Sequence, residues 1–129
     1  MKPFIGNIEE LTEGNRDYRR VIHTGSRMQL VLMALRPGEE LGEEIHGDTD
    51  QFFRVEEGRG EVVIEGQATP IESGMAIVVP AGARHNLRNT GDGPLAVYTL
   101  YAPPEHADGT VHRTKEEAER AHAEEHSAV

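Results

Sequence analysis

The chain has 129 residues, the usual size of a single domain, and contains no cysteine. Disulfides, thiol nucleophiles and sulfur-ligated zinc or iron sites are therefore excluded. With 23 acidic and 13 basic residues, the formal net charge is -10, which argues against nucleic acid and anionic membranes as partners. No apolar run approaches the roughly 18 residues that a membrane span needs, and Glu9 and Glu10 come too early for a signal peptide. We therefore expect a cytoplasmic protein.

Between residues 18 and 102 the sequence alternates between short apolar runs and turn signals. The predicted strands are residues 18–24, 28–36, 43–46, 51–56, 61–65, 74–79, 84–89 and 95–101. The segments between them are rich in Gly, Pro and Asp, as in Thr90-Gly91-Asp92-Gly93-Pro94. Strands at roughly 8–12-residue spacing are typical of a β-sandwich or barrel, so the pattern predicts an all-β fold.

The C-terminal part of the chain has a different composition. Thr114 and Glu117 have the spacing of a capping box, and residues 115–126 contain no apolar side chain larger than alanine. This pattern predicts a short, mostly solvated helix. We therefore predict one domain over 1–129, with an N-terminal arm (1–17), a barrel (18–102) and a C-terminal loop and helix (103–129).

Two segments carry residues that can bind a metal. In the first, Glu44 and His46 lie two residues apart in a predicted strand, so their side chains point to the same face. Gln51 begins the next predicted strand and can face the same side. In the second, a strand ends at Pro80-Ala81-Gly82 and the next strand carries His85.

The spacing of these residues resembles the two motifs of the cupin family. The first motif is Gly, five residues, His-x-His, three or four residues, Glu, six residues, Gly. Its positions are filled here by Gly38, Glu44, His46, Gln51 and Gly58, so that a Glu replaces the first His and a Gln replaces the Glu. The second motif is Gly, five residues, Pro-x-Gly, two residues, His, three residues, Asn. It is matched without departure by Gly74, Pro80, Gly82, His85 and Asn89.

The resemblance implies a cupin-type double-stranded β-helix, a jelly-roll barrel, with a short C-terminal helix. It also implies that one divalent transition metal, Fe, Mn, Ni or Zn, is bound by Glu44, His46, Gln51 and His85. The exchange keeps one anionic ligand, but Gln51 offers only a neutral carbonyl oxygen and could instead orient a water molecule. The resemblance further implies a homodimer built through the N-terminal strands.

The implied function is that of a metal-dependent enzyme acting on a small oxygen-rich molecule. The substrate would be a sugar, sugar acid or keto acid, and the chemistry of isomerase or dioxygenase type, since small cupins are often called mannose-6-phosphate isomerase-like. Glu44 would be the catalytic residue, acting as a general base when it is not bound to the metal. The alternative is a non-catalytic cupin that binds a metal or small ligand as a sensor or carrier, or that keeps a vestigial site.

Other polar residues near these motifs have two interpretations each. Residues 103–112 follow the last predicted strand and could fold over the barrel mouth, which would place His106 or His112 near the metal as a proton carrier. They could equally form a tail loop with incidental histidines. Four arginines lie on or beside predicted strands and could meet an anionic substrate or be solvated surface charges: Arg36, Arg54, Arg84 and Arg88.

Overall fold

The computed structural model describes residues 2–127, which form nine strands and two helices. In chain order the elements are α1 (Ile8–Gly14), β1 (Arg19–Thr24), β2 (Gln29–Leu35), β3 (Asp50–Glu57), β4 (Arg59–Ile64), β5 (Gln67–Glu72), β6 (Ala76–Val79), β7 (His85–Asn89), β8 (Leu95–Ala102), β9 (Val111–His112) and α2 (Lys115–Ser127). One sheet has the order β6-β3-β8-β2-β1-β9 and the other β5-β4-β7. All strand pairs are antiparallel, which confirms the predicted all-β fold with a C-terminal helix.

The core lies between the two sheets and follows the alternation of side chains along each strand. In β3, Phe53 and Val55 are completely buried, and in β8 Leu95 and Val97 are buried in the same way. The same inward positions near one end of these strands are polar. There β3 contributes Gln51, and β8 contributes Tyr101, which is opposite Gln51, and Thr99, which is opposite Phe53. The barrel therefore has an apolar body and one polar end.

Residues 38–46 run antiparallel beside β7 without forming a strand of their own, although the sequence predicted a strand over 43–46. They pair with β7 only at two isolated bridges, one of which joins Glu44 to His85. Gly42, with a φ of +90°, interrupts the extended backbone, which explains why a continuous strand does not form. The segment nevertheless extends the smaller sheet and carries two of the predicted ligands to the polar end of the barrel.

Three elements have weak sequence signals and were not predicted. Helix α1 lies inside the predicted arm, where Asn7 Oδ1 accepts a hydrogen bond from the Glu10 N–H at 3.0 Å. Strand β5 buries only Ile71 and contains Pro70, so it lacks an apolar pattern. Strand β9 has two residues.

The two helices lie at opposite ends of the sequence and pack differently. Helix α1 packs against β8, β3 and β2, whereas α2 contacts β9. At the start of α2, Thr114 Oγ1 accepts a hydrogen bond from the Glu117 N–H at 3.1 Å, as the capping-box pattern predicted. Neither helix in the described part of the chain has the length and apolar character of a membrane span.

Candidate metal centre

Backbone pairing sets Glu44 and His85 opposite each other. The Glu44 N–H donates to the His85 carbonyl at 2.8 Å, and the His85 N–H donates to the Glu44 carbonyl at 2.9 Å. Residues paired in this way have side chains on the same face. The His46 carbonyl accepts a hydrogen bond from the Gly82 N–H at 2.8 Å, which ties the loop to the corner before β7. Gly82 has a φ of +85°, a conformation that favours glycine.

Gln51 and His85 form a buried pair, each only 2% exposed. Gln51 Nε2 donates to Thr99 Oγ1 at 3.0 Å, and its Oε1 lies 3.1 Å from His85 Nε2. His85 Nδ1 lies 3.0 Å from the Ala83 carbonyl, which can only accept, so Nδ1 carries the proton. In a neutral ring Nε2 then holds a lone pair, and this lone pair faces the Gln51 amide oxygen, which also carries lone pairs. A cation bound between the two atoms would relieve the repulsion between these lone pairs.

His46 lies between two carboxylates and has a side chain that is 11% exposed. Its Nε2 is 3.1 Å from Glu44 Oε2, and its Nδ1 is 3.4 Å from Glu105 Oε1. In spite of the short distance to Glu44, the buried Nε2 finds no hydrogen-bond partner of acceptable geometry among the described residues. Glu44 and His46 therefore form an ion pair whose geometry falls short of an aligned hydrogen bond.

Glu44 and His46 each shift the pKa of the other in the direction that favours its charged form. Contact with the Glu44 carboxylate raises the pKa of His46, although burial of the ring opposes this change. Burial would by itself raise the pKa of Glu44, but the contact with His46 outweighs burial and lowers the pKa below its usual value. Without a metal, the two side chains therefore form an ion pair over a wider pH range than two isolated groups would.

A cavity of about 530 Å³ opens at this end of the barrel. Its lining includes Glu44, His46, Glu105, His106 and His112, together with residues of α2. A second depression, of about 540 Å³, is lined by turn residues and by none of the predicted site residues. Of the four predicted ligands, Glu44 and His46 line the first cavity, whereas His85 lines a separate depression of about 320 Å³ and Gln51 lines neither.

The chain that follows β8 covers this cavity and is held by a buried glutamine. Gln29 is 0% exposed, and its Oε1 accepts hydrogen bonds from the N–H groups of Glu105 and His106 at 3.2 and 3.0 Å. Its Nε2 donates to the His106 carbonyl at 2.7 Å. The loop therefore folds over the barrel mouth, which agrees with the first of the two interpretations of residues 103–112.

His106 packs against Tyr101 rather than against the predicted ligands. Its Nε2 lies 3.4 Å from the Tyr101 hydroxyl, and the Tyr101 ring meets the edge of His46 at 5.8 Å between centroids. Burial lowers the pKa of His106 to about 3 and raises the pKa of Tyr101. His106 is therefore neutral at physiological pH, which disfavours it as a proton carrier. His112 lies beside Arg19, with 3.2 Å between its Nδ1 and Arg19 Nη1.

Comparison with known proteins identifies the family. Residues 31–101, more than half of the chain, match the cupin domain model. The chain belongs to the cupin family. It is 46% identical over 124 residues to YrkC, an uncharacterised protein of Bacillus subtilis, and the match covers 91% of this chain and 66% of YrkC. The chain thus spans just under two thirds of that relative.

Solved structures agree with this assignment. The crystal structure of BH2720 from Bacillus halodurans is 46% identical and superposes with a TM-score of 0.91, covering 92% of this cupin and 95% of BH2720. A predicted oxalate decarboxylase from Thermotoga maritima is 24% identical with a TM-score of 0.57, covering 59% of this cupin and 66% of that chain. At this identity the likeness concerns the fold alone.

Cupins often bind metals, and within each of two pairs of predicted ligands the donor atoms have the spacing of two ligands on one ion. Two ligand atoms that each lie about 2.1 Å from an ion, at a right angle, are about 3.0 Å apart. The pairs Glu44–His46 and Gln51–His85 are both separated by 3.1 Å. Two imidazoles on one ion have centroids roughly 4.5–5.3 Å apart. Those of His46 and His85 are 5.4 Å apart.

The four predicted ligands do not yet form a closed cluster. Among the described side chains, those of residues 2–123, no group of three or more His, Asp or Glu is arranged to hold a metal ion. The structure brings the predicted residues together as two pairs, which must draw slightly closer to share an ion. The ligand set therefore stays a prediction. It is supported by His46 Nε2, which makes no hydrogen bond to a described residue, and by the Gln51 amide oxygen, which faces His85 Nε2.

Sequence reasoning missed four residues of the site. Glu105 contacts His46, Arg19 contacts His112, and Tyr101 separates His46 from His106. Gln29 holds the covering loop, and its only sequence signal is a polar residue at the start of an apolar run. The other three had no motif, because their contacts are made between segments distant in sequence.

Proposed function

We propose that this cupin binds one divalent transition metal through Glu44, His46, Gln51 and His85. The observation that carries the proposal is His46 Nε2, a buried ring nitrogen that lies 3.1 Å from a Glu44 oxygen but makes no hydrogen bond of acceptable geometry to a described residue. A buried polar atom without a hydrogen bond costs about 1–3 kcal/mol, so an ion that binds both His46 and Glu44 would stabilise the folded chain.

We further propose that the centre acts on a small oxygen-rich molecule, a sugar, sugar acid or keto acid, by isomerase- or dioxygenase-type chemistry. The cavity of about 530 Å³ has the size of a small-molecule site. A metal bound there would polarise a substrate oxygen as a Lewis acid. Glu44 is the residue suited to move a proton, because its side chain is 27% exposed to the cavity and its lowered pKa keeps it ionised.

The surrounding side chains have supporting parts in this proposal. Glu105 Oε1 lies 3.4 Å from His46 Nδ1, and its charge favours a proton on Nδ1, which leaves His46 Nε2 for the ion. The Ala83 carbonyl does the same for His85. His106, neutral at physiological pH, brings a weak hydrogen-bonding group to the cavity without adding charge, and the buried Tyr101 packs against it.

Metal analysis tests the proposal. The protein is purified without added metal, incubated with Mn, Fe, Ni or Zn, and then analysed for bound metal. We expect one equivalent per chain in the wild type and loss of the metal in His46→Ala and His85→Ala. His23→Ala is the matched control, since His23 lies on β1 outside the cavity lining. Wild-type protein that retains none of the four metals would refute the metal centre and favour the alternative of a vestigial or metal-free binding site.

Turnover separates an enzyme from a non-catalytic metal carrier or sensor. We expect the metal-loaded protein to convert at least one member of a panel of sugars, sugar acids and keto acids, and Glu44→Gln to bind that compound without converting it. We also propose, from the family resemblance, that two copies of the chain form a homodimer. Light scattering after size exclusion should then give twice the mass of the chain.

A further inference from the structure

Arg19 differs from the other shielded arginine of the described chain in having no carboxylate partner. Among the arginines of residues 2–127, only Arg19 and Arg54 are of intermediate exposure, and the others are exposed. Arg54 Nε lies 3.0 Å from a carboxylate oxygen of Glu56. Arg19 has no carboxylate within 4.0 Å in the described part of the chain, although the protein carries 23 acidic residues. Its charge is therefore not neutralised by an ion pair.

One edge of the Arg19 guanidinium is already used. Nη1 lies 3.2 Å from His112 Nδ1, and because a guanidinium only donates, His112 accepts there. The Cζ atom lies 5.3 Å from the centre of the Tyr18 ring. These contacts hold the planar group in one orientation from two sides.

The opposite edge of the guanidinium has no hydrogen-bond partner in the described part of the chain. There Arg19 Nε is buried and makes no hydrogen bond, and Nη2 makes none either. The Nε and Nη2 hydrogens are the pair that holds a carboxylate through two parallel hydrogen bonds. A buried N–H without a partner normally has an explanation, such as a ligand or an ordered water molecule.

This edge belongs to the cavity that contains the candidate metal centre. Arg19 lines the same space of about 530 Å³ as Glu44 and His46. Its charge reaches the polar end of the barrel, where it lowers the pKa of Glu44 and of His106. A ligand of a few carbon atoms can therefore contact Arg19 and the candidate ligands at the same time.

We propose that Arg19 is the anion-binding residue of this cavity and that the ligand carries a carboxylate. The carboxylate is held by the Nε and Nη2 edge of Arg19, while other oxygen atoms of the ligand face Glu44 and His46. The proposal rests on the proposed function and narrows its substrate class to acids. A planar monoanion fits one guanidinium edge, whereas a phosphate dianion would be repelled by the carboxylates of Glu44 and Glu105.

Calorimetric titration with paired ligands tests the proposal. Pyruvate and gluconate are compared with their uncharged counterparts pyruvamide and glucose, and inorganic phosphate is a separate arm. Each is titrated into Mn-loaded and metal-free protein, for wild type, Arg19→Gln and Arg19→Lys. Arg20→Gln is the matched control, because Arg20 is the next residue of β1, is exposed and pairs with Asp17 at 3.8 Å.

We expect at least one acid to bind wild type and the Arg20 variant more tightly than its uncharged counterpart. Arg19→Gln should weaken that binding by about tenfold or more, the equivalent of about 1.4 kcal/mol, and Arg19→Lys should recover part of it. Manganese content and melting temperature are measured for every variant, so that a loss of fold or metal is recognised.

Three results would overturn the inference: neither acid binds wild type in either form, Arg19→Gln binds the acids as wild type does, or phosphate binds more tightly than both acids. If manganese is bound and Arg19→Gln changes nothing, the metal centre stands and this inference fails. If wild type holds no metal but binds acids through Arg19, the inference stands and the proposed metal centre fails.

Discussion

The substitution Gln51→Glu restores the residue that the cupin motif has at this position, and it should have opposite effects with and without metal. In the metal-free protein it replaces a neutral amide, 2% exposed and bonded to Thr99, with a carboxylate in the same buried place. In the metal-bound protein, a charged oxygen replaces a neutral one as a ligand. We therefore expect a less stable metal-free form and a more stable metal-bound form.

The size of the effect follows from burial. Placing an unpaired carboxylate at this position costs about 2–4 kcal/mol at neutral pH. For a chain of this length each kcal/mol corresponds to roughly 3–5 °C, so the metal-free variant should melt roughly 6–20 °C below wild type. Metal affinity should rise by about tenfold or more, because a carboxylate is the stronger donor.

The pH dependence has a definite sign. The new carboxyl group is relieved of its burial cost by taking a proton. The folded variant therefore holds a proton that the unfolded chain lacks above the ordinary pKa of glutamate. The penalty is therefore absent in acid and grows as the pH rises through the raised pKa in the folded state.

Thermal unfolding in a chelator at several pH values, followed by titration with Mn, Fe, Ni and Zn, measures both effects. Gln67→Glu is the matched control, since Gln67 is exposed on β5 and its substitution adds the same charge without burial. If the metal-free Gln51 variant melts with wild type at neutral pH, the side chain is not held in the buried site. Equal metal affinities for both proteins would remove Gln51 from the ligand set.

Three further outcomes are expected from the same geometry. His85→Ala should abolish the stabilisation of the folded protein by metal. This stabilisation is about 2.7 kcal/mol when the free metal concentration is about 100 times the dissociation constant. A wild-type melting temperature that a chelator leaves unchanged would contradict this expectation. Glu44→Gln should lower the pKa of His46 in the metal-free protein toward its ordinary value, because the carboxylate 3.1 Å away is what raises it, and NMR titration of the ring should show the decrease. Glu105→Ala should weaken metal binding by about 10–100-fold by freeing His46 Nδ1, whereas an unchanged affinity would show that this contact does not orient the ring.

Much of the barrel could be predicted because its strands carry their own signal. In β3 and β8 apolar residues recur at every second position, and turn residues bound each run, so the predicted strands differ from the observed ones by one residue at each end at most. Strand β5 has no such signal, since it buries one residue of six. It is held in place by its pairing with β4, a property of the sheet that its own composition does not express.

The candidate site was predictable only where a motif fixed the spacing. The resemblance brought Glu44, His46, Gln51 and His85 together from two segments, and the structure places all four at one end of the barrel. The roles of Arg19 and Gln29 depend on how the chain returns after β8. Gln29 accepts hydrogen bonds from Glu105 and His106, which lie 76 and 77 positions later in the sequence. No local sequence pattern indicates a contact over that separation.

The exchange of ligands relative to the cupin motif has a physical consequence for the metal-free protein. The charged group lies at Glu44, with a side chain 27% exposed, and the buried position 51 holds a neutral amide. An ionised carboxylate costs less free energy where water reaches it, and the amide at position 51 is satisfied by Thr99. The proposed metal centre can therefore be empty without an unpaired charge in the core.

We therefore expect this cupin to fold without metal. Chelator-treated protein should keep its far-UV and near-UV circular dichroism at room temperature, and added metal should raise the melting temperature without changing either spectrum. The reasoning fails if removal of the metal unfolds the chain, because this would mean that the two pairs need the ion to offset their burial. A near-UV signal that is lost on chelation and regained with metal would show that the packing of Tyr101 against His46 depends on the ion. Retention of both signals would mean that hydrogen bonds and the Glu44–His46 ion pair suffice to hold the polar end of the barrel.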